Sequence, residues 1–241
     1  MIRAEFLRKS FGSVNAVQDV SFTATDGKVT ALLGPNGAGK STSLRILSTV
    51  LAADGGTAYV DDQEVGAAPM AVRKHIGVLP HAAGLYARLS ARENIAYFGA
   101  LHDIPKQQLT ARINDLIELL DMHEFSERRV AGFSQGQRIK VALARALVHD
   151  PKHVLLDEPT NGLDVMATRA LREIILKLKD EGRCVLFSSH VMQEVANLCD
   201  DVVIIGHGKV LFQGTLDELR AHANEPDLEE AFIQVIGEDH E

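Results

Sequence analysis

A glycine-rich loop that directly follows a short, mostly apolar run constrains this chain more than any other feature. The run at residues 29–33 ends in Gly34, Pro35, Asn36, Gly37, Ala38, Gly39, Lys40 and Ser41, which fit the pattern G-x-x-x-x-G-K-[ST]. After the loop, Leu44, Leu47 and Leu51 recur at helical spacing. This order of strand, loop and helix predicts a phosphate site, because glycines let successive backbone N–H groups turn toward a polyphosphate without Cβ clashes.

The side chains at the end of the loop have the chemistry that a nucleoside triphosphate requires. Lys40 offers a positive charge to the β- and γ-phosphates, and Ser41 offers a hydroxyl to Mg²⁺. The helix that starts here adds the positive end of its dipole, and Thr42 belongs to its first turn. The sequence therefore predicts that residues 34–42 bind a nucleoside triphosphate with Mg²⁺ as cofactor.

A second apolar run, at residues 154–156, ends in an acidic pair. An acidic residue at the end of a buried strand can hold Mg²⁺ directly or through water, which is the role predicted for Asp157. Glu158 points the other way from the strand and can polarise the attacking water as a general base. Acidic pairs after strands are also common as helix caps, so this prediction depends on the phosphate loop upstream.

Composition and charge exclude several other classes of protein. Of the 241 residues, 46% are hydrophobic and 24% are charged, which is typical of a globular protein with a substantial core. A net charge of −8 argues against a protein that binds nucleic acid mainly through phosphate contacts. No segment resembles a membrane span or a signal peptide, and Cys184 and Cys199 match no metal or redox spacing. We therefore expect a cytosolic chain with reduced thiols.

Short apolar strands alternate with amphipathic helices on both sides of a helix-rich middle stretch. Such alternation predicts an α/β fold with a mostly parallel sheet that is covered on both faces. In the middle stretch, one helical face is apolar and comprises Leu109, Ile113, Leu116, Ile117 and Leu120. We predict one domain over residues 1–241, with a nucleotide-binding core at 1–86 and 151–241 and a helical subdomain at 87–150.

Five ordered motifs resemble those of the ATP-binding-cassette (ABC) ATPases. Residues 133–147 resemble the family's signature motif and the helix that follows it, and residues 161–164 resemble its D-loop. Residues 188–190 resemble the switch-histidine motif, and Phe11 falls where the family has an aromatic residue that stacks on adenine. The resemblance covers residues 2–215. It implies a P-loop NTPase core with a mostly parallel sheet, an N-terminal antiparallel β part and an inserted α-helical subdomain.

The resemblance also implies partners and residue roles. Two copies of the chain are expected to sandwich two ATP molecules head to tail, with His190 orienting the water of Glu158 and Asp164 lining the dimer interface. The ATP held by Lys40 of one copy is expected to contact the start of the other copy's signature helix, at Ser134, Gln135, Gly136 and Gln137. Separate transmembrane permease subunits are expected to hold the chain at the cytoplasmic face of the cell membrane.

Two positions depart from the family pattern. Gln135 replaces the second member of the signature's usual glycine pair, which removes backbone freedom near the γ-phosphate. His81 stands where the family has its Q-loop glutamine, which links Mg²⁺ and the attacking water to movement of the helical lobe. Either the histidine makes this link through a hydrogen bond, or it is a spacer and a water molecule takes over. The residues alone do not decide between these two readings.

Two further stretches resemble one group within the family. Residues 84–94 and the tail at 214–219 and 227–232 are similar to the NatA-like ATPases of sodium-extrusion exporters and to related drug exporters. The implied function is an ATPase subunit of an exporter, with Na⁺ as one candidate substrate. One alternative is a soluble ATP-driven clamp that acts on ribosomes or DNA, but such proteins usually carry two cassettes, a long coiled coil or zinc motifs. Another is a nucleotide sensor without hydrolysis, which the presence of both Glu158 and His190 disfavours.

Overall fold

The computed structural model describes residues 1–82 and 84–237, and within these ranges the strands join into one ten-stranded sheet. The strands are β1 (Ile2–Phe11), β2 (Val14–Ala24), β3 (Val29–Leu33), β4 (Gly55–Val60), β5 (Gln63–Glu64), β6 (Ile76–Leu79), β7 (His153–Asp157), β8 (Cys184–Ser189), β9 (Asp201–Gly206) and β10 (Lys209–Thr215). The helices are α1 (Lys40–Leu47), α2 (Pro69–Val72), α3 (Ala91–Leu101), α4 (Lys106–Leu119), α5 (Gln135–Leu147), α6 (Val165–Asp180), α7 (Met192–Leu198), α8 (Leu216–Ala223) and α9 (Leu228–Gly237).

The sheet has a parallel centre and an antiparallel wing. Its strand order is β5-β4-β1-β2-β10-β9-β3-β8-β7-β6. Strands β9, β3, β8, β7 and β6 run parallel to one another, whereas β1, β2, β4 and β5 pair antiparallel. The predicted α/β fold with an N-terminal antiparallel part is confirmed.

The central strands are apolar because both of their faces are covered. Every residue of β3, β7 and β8 is buried, as expected for parallel strands between two layers of helices. On one face, Leu44 and Leu47 of α1 pack in the same core as Leu32. The carboxyl ends of β3, β7 and β8 consequently meet at one edge, where the loops that follow them lie side by side.

The predicted helical stretch forms helices α3, α4 and α5. Both α3 and α5 begin with a capping box, in which Ser90 and Ser134 are the N-caps. Leu116 and Leu143 of this stretch belong to the same buried core as Leu156 of the sheet. The proposed boundaries at residues 87 and 150 stay a prediction. No helix in the described ranges is long and apolar enough to cross a membrane.

Two local features differ from the sequence prediction. Helix α1 ends at Leu47, so that Leu51 lies beyond it, although its spacing continues the apolar pattern. The backbone of Thr49 turns to a φ of 64°, a left-handed conformation that a helix cannot continue through. The strand β10 was not predicted, because its residues are only half-buried and its apolar pattern is weak.

Candidate nucleotide site

The glycine-rich loop joins β3 to α1, and its backbone depends on the absence of a side chain at Gly39. Gly39 is the N-cap of α1 and has a φ of 106°. A Cβ at Gly39 would lie 2.5 Å from the carbonyl oxygen of Ala16, and one at Gly34 would lie 2.1 Å from that of Ile205. The loop thus presses against neighbouring backbone on two sides, which only glycine permits.

Lys40 is buried and its ammonium group is held inside the loop. Its Nζ donates to the carbonyl oxygens of Gly34 and Pro35, at 2.7 and 3.0 Å, and lies 3.8 Å from Glu158 Oε1. Burial lowers the pKa of Lys40, while the carboxylates of Glu158 and Asp157 oppose that shift. A phosphate oxygen can compete for this ammonium because two of its three present contacts are neutral carbonyls.

Hydroxyl groups from a helix and a strand converge on the carboxylate of Asp157. Ser41 Oγ at the start of α1 and Ser188 Oγ in β8 both donate to Asp157 Oδ1, each at 2.8 Å. The backbone N–H of Glu158 donates in turn to Ser188 Oγ at 2.9 Å. The sequence assigned Ser188 to the switch-histidine motif but did not predict its contact with Asp157. The pairing register of β7 and β8, which sets Asp157 opposite Ser188, creates that contact.

Glu158 and His190 form a direct pair just beyond the carboxyl ends of β7 and β8. The imidazole Nδ1 of His190 donates to Glu158 Oε2 at 2.7 Å. Glu158 has a φ of 51°, a strained conformation for a residue with a side chain, and non-glycine residues in such conformations cluster at functional sites. The structure thus brings together Lys40, Ser41, Asp157, Glu158 and His190.

A cavity of about 240 Å³ extends from the acidic pair toward the helical lobe. Its lining includes His81, Gln135, Asp157, Glu158 and Gly162. The two positions that depart from the family pattern, His81 and Gln135, therefore share one cavity with the acidic pair. His81 also lines a second, more apolar groove of about 200 Å³ together with Leu44, Val78 and Pro80.

The start of the signature helix is exposed, and the hydroxyl of Ser134 is engaged in its cap. Ser134 Oγ accepts from the backbone N–H of Gln137 at 3.2 Å, and Gln137 Oε1 accepts from the backbone N–H of Ser134 at 3.1 Å. Gly136 lies close to α6, since a Cβ there would be 3.4 Å from Ala167 Cβ. Asp164 caps that helix by accepting from the backbone N–H of Ala167 at 2.8 Å.

Two exposed apolar side chains beside Asp164 were missed by the sequence analysis. Val165 and Met166 are 84% and 73% exposed, so two adjacent apolar side chains face solvent at the start of α6. Phe11 is likewise half-exposed, at the end of β1, and the ammonium group of Lys9 lies 5.8 Å from the centre of its ring. The neighbouring strand β2 carries Ala16, which contacts the glycine loop.

Fold and site together define a P-loop nucleoside triphosphatase. The sequence model of the ABC transporter family matches residues 17–161. The chain belongs to this family, as an ATP-binding subunit with ATPase activity.

Three known proteins illustrate the similarity. The ABC transporter ATP-binding protein NatA of Bacillus subtilis (strain 168) is 45% identical over 224 residues, which cover 92% of this chain and 91% of NatA. The Nod factor export ATP-binding protein I of Rhizobium sp. (strain N33) is 36% identical over 87% of this chain and 69% of that protein. A solved ATP-binding subunit of an ABC transporter superposes with a TM-score of 0.89 at 26% identity, covering 98% of this chain and 99% of that one.

Proposed function

We propose that this chain hydrolyses ATP with Glu158 as the general base and so drives export through separate membrane subunits. The observation that carries the proposal is the position of the Glu158 carboxylate. One oxygen accepts from His190 at 2.7 Å, and the other lies 3.8 Å from the ammonium group of Lys40. A carboxylate held between an imidazole and a phosphate-binding ammonium is suited to accept a proton from water beside a γ-phosphate.

In the proposed step, the oxygen of water attacks the γ-phosphorus as Glu158 accepts one of the water protons. The bond between the γ-phosphorus and the bridging oxygen breaks, and ADP leaves. Because Nδ1 of His190 is engaged by Glu158, Nε2 is the nitrogen left for the γ-phosphate, and it would donate to a phosphate oxygen in the doubly protonated ring. Lys40 and the N–H groups of the loop stabilise the charge that spreads over the phosphate oxygens.

Ser41 and Asp157 are the proposed holders of Mg²⁺. Their side-chain oxygens are 2.8 Å apart, and a hydroxyl with a carboxylate is the donor chemistry that this hard cation prefers. When bound, Mg²⁺ would neutralise part of the charge on the β- and γ-phosphates. Ser188 would keep Asp157 in place from the opposite side.

The working form that we propose is a head-to-tail dimer of two copies of the chain. Ser134 and Gln135 are exposed, as are Val165 and Met166 next to Asp164. A second copy that covered these residues would remove two apolar side chains from water and bring a signature helix N-terminus to the γ-phosphate. In the same arrangement, adenine would stack on the half-exposed ring of Phe11.

We propose that His81 couples hydrolysis to the membrane subunits and that the chain works at the cytoplasmic face of the membrane. His81 lines both the cavity at Glu158 and the apolar groove at the surface. A segment of a membrane subunit seated in that groove would touch the same imidazole that faces the acidic pair. This arrangement supports the hydrogen-bonding role of His81 over that of a spacer.

Na⁺ is the cargo that we propose to test first. The support is the 45% identity to NatA together with the two stretches that resemble sodium-extrusion ATPases. We assign the choice of cargo to the membrane subunit.

The test uses membrane vesicles that contain this chain and the membrane subunit with which it co-purifies. ATP-dependent Na⁺ movement is expected with the wild type and is expected to vanish with Glu158→Gln. Movement of a drug instead of Na⁺ would refute the sodium assignment but would support the proposal that the chain drives export. ATP hydrolysis without movement of either cargo, in a complex that assembles, would overturn the export proposal. His81→Gln is expected to retain transport, whereas His81→Ala is expected to hydrolyse ATP without transport.

A further inference from the structure

A second cluster of reactive side chains lies at the amino ends of the central strands, whereas the nucleotide site lies at their carboxyl ends. His153 begins β7 and Cys184 begins β8, and the two residues are direct partners in the parallel register. Asp26 lies in the turn that precedes β3, and Asp61 follows β4. The amino group of Met1 contacts the carboxylates of both Asp26 and Asp61. The ATPase mechanism uses none of these groups.

The donor atoms of this cluster converge on one point. The ligand atoms of Asp26, His153 and Cys184 all lie within 4.8 Å of one another. His153 Nδ1 is 3.6 Å from Asp26 Oδ1, and its Nε2 is 2.9 Å from Asp61 Oδ1. The imidazole is fully buried. Although Asp61 lies at ion-pair distance from Nε2, neither nitrogen makes a hydrogen bond of suitable geometry. A buried imidazole with both nitrogens so placed is unusual, because such groups are normally satisfied.

The cluster combines the ligand types of a metal site. It holds one carboxylate, one imidazole and one thiol, and their donor atoms share one small volume. The ammonium group of Met1 contacts the carboxylate of Asp26, so this side of the cluster already attracts a cation.

We propose that Asp26, His153 and Cys184 bind one Zn²⁺ ion, with a water molecule as the fourth ligand. A set of thiolate, imidazole and carboxylate is typical of zinc, whereas Mg²⁺ and Ca²⁺ take oxygen ligands alone. Binding forms a zinc–sulfur bond and releases the thiol proton to solvent. The ion would tie the first residues of β7 and β8 to the turn before β3, and its role is structural.

Only a small movement is needed to reach zinc geometry. Ligands at about 2.0–2.3 Å from a tetrahedral ion are roughly 3.5 Å apart. Asp26 Oδ1 and His153 Nδ1 are already 3.6 Å apart, and no pair of ligand atoms is more than 4.8 Å apart. Asp26 can supply this movement because its side chain is exposed and lies in a turn. It also lines a polar cavity of about 340 Å³ with Lys152 and Arg183, which gives the ion a path from solvent.

The test measures cobalt and zinc binding to the full chain without a histidine tag. After treatment with a chelator, the wild type is expected to bind one equivalent of Co²⁺ with a thiolate-to-cobalt charge-transfer band, which Zn²⁺ then abolishes. This band separates the cluster from the Mg²⁺ site, where neither Ser41 nor Asp157 has a thiol. Cys184→Ser is expected to lose the band. Cys199→Ser, which removes the other free thiol, is the matched control and is expected to keep it.

Asp26→Asn keeps the proposal testable if the buried variants fail to fold. Asp26 is exposed, so this variant is expected to fold normally and to bind Zn²⁺ at least about tenfold more weakly. Circular dichroism and ATP binding would verify folding. A wild type without the thiolate band would overturn the proposal. So would loss of the band in Cys199→Ser alone, or unchanged zinc affinity in folded Asp26→Asn.

Discussion

The imidazole Nδ1 of His190 lies 2.7 Å from Glu158 Oε2, although 32 positions separate the two residues in the chain. His190 follows β8 and Glu158 follows β7, so this contact exists because the two strands are neighbours in the sheet. The pair uses one nitrogen of the ring and leaves the other for a phosphate. Four predictions test this site and the packing that supports it.

Glu158→Gln is expected to bind ATP as the wild type does but to lose turnover by about 10²–10⁴-fold, the contribution typical of a general base. The amide keeps the shape of the side chain but cannot accept the water proton. Phosphate release measures the turnover, and gel filtration with ATP is expected to show a trapped dimer. Glu173→Gln, an exposed change in α6, is the control and should behave as wild type. Turnover at the wild-type rate in Glu158→Gln would refute the role of this residue.

Ser188→Ala is expected to lower both stability and activity. The change removes the hydroxyl that donates to Asp157 and accepts from the Glu158 backbone, in a fully buried place. A loss of about 1–3 kcal/mol in the free energy of unfolding is expected from the unsatisfied partners. The Mg²⁺ concentration needed for half-maximal hydrolysis should rise as Asp157 loses its support.

Ser126→Ala provides the comparison for that variant, since Ser126 is also buried but lies in the helical lobe. Denaturant unfolding and Mg²⁺ titration of hydrolysis would be run on both variants. Equal Mg²⁺ dependence in the two would show that Ser188 does not position Asp157.

Gly39→Ala is expected to abolish ATP binding because the added Cβ would lie 2.5 Å from the carbonyl oxygen of Ala16. The backbone there has a φ of 106°, which adds strain of about 1–3 kcal/mol. Gly132→Ala separates the two effects, since Gly132 has a φ of 89° but open space around it. Fluorescent nucleotide binding is expected to fail in the first variant and to persist in the second. Comparable binding in both variants would contradict the close contact.

Stability is expected to fall as the pH drops from about 6.5 to about 4, because burial, followed by the nearby His102, lowers the pKa of His149 to about 4. The rings of His149 and His102 stack with their centres 3.7 Å apart. In the unfolded chain His149 takes up a proton near its ordinary pKa, whereas in the folded chain it stays neutral. At a pH above the pKa of His149 in the unfolded chain, this difference stabilises the folded state. The stabilisation is lost as the pH falls toward the pKa of His149 in the folded chain.

The expected loss over this range is on the order of 2–3 kcal/mol. Urea unfolding at several pH values measures it, and His149→Gln should flatten the curve. His123→Gln, an exposed histidine beside Glu118, is the control and should leave the curve unchanged. A curve of the wild-type shape in His149→Gln would assign the pH dependence to other groups.

Much of the nucleotide site could be predicted because its functional residues lie in short, continuous segments of the sequence. Each of three motifs can be recognised within a few consecutive residues: the glycine loop at residues 34–41, the acidic pair that begins at Asp157, and the motif that ends in His190. The exposed pair Val165 and Met166 gave no such signal, because exposure depends on what surrounds a residue. Nor did the sequence indicate that His81 and Gln135 line one cavity, since the two residues are 54 positions apart.

The sequence by itself determined the class of fold and the family and predicted the residues for phosphate binding, because backbone preferences and apolar periodicity act over short stretches of chain. Only the tertiary structure decided which distant side chains meet. Spacing alone excluded a metal site for Cys184, yet the register of β7 and β8 sets Cys184 beside His153 and near Asp26. Strand order and register arise from non-local pairing and burial, and no local pattern encodes them.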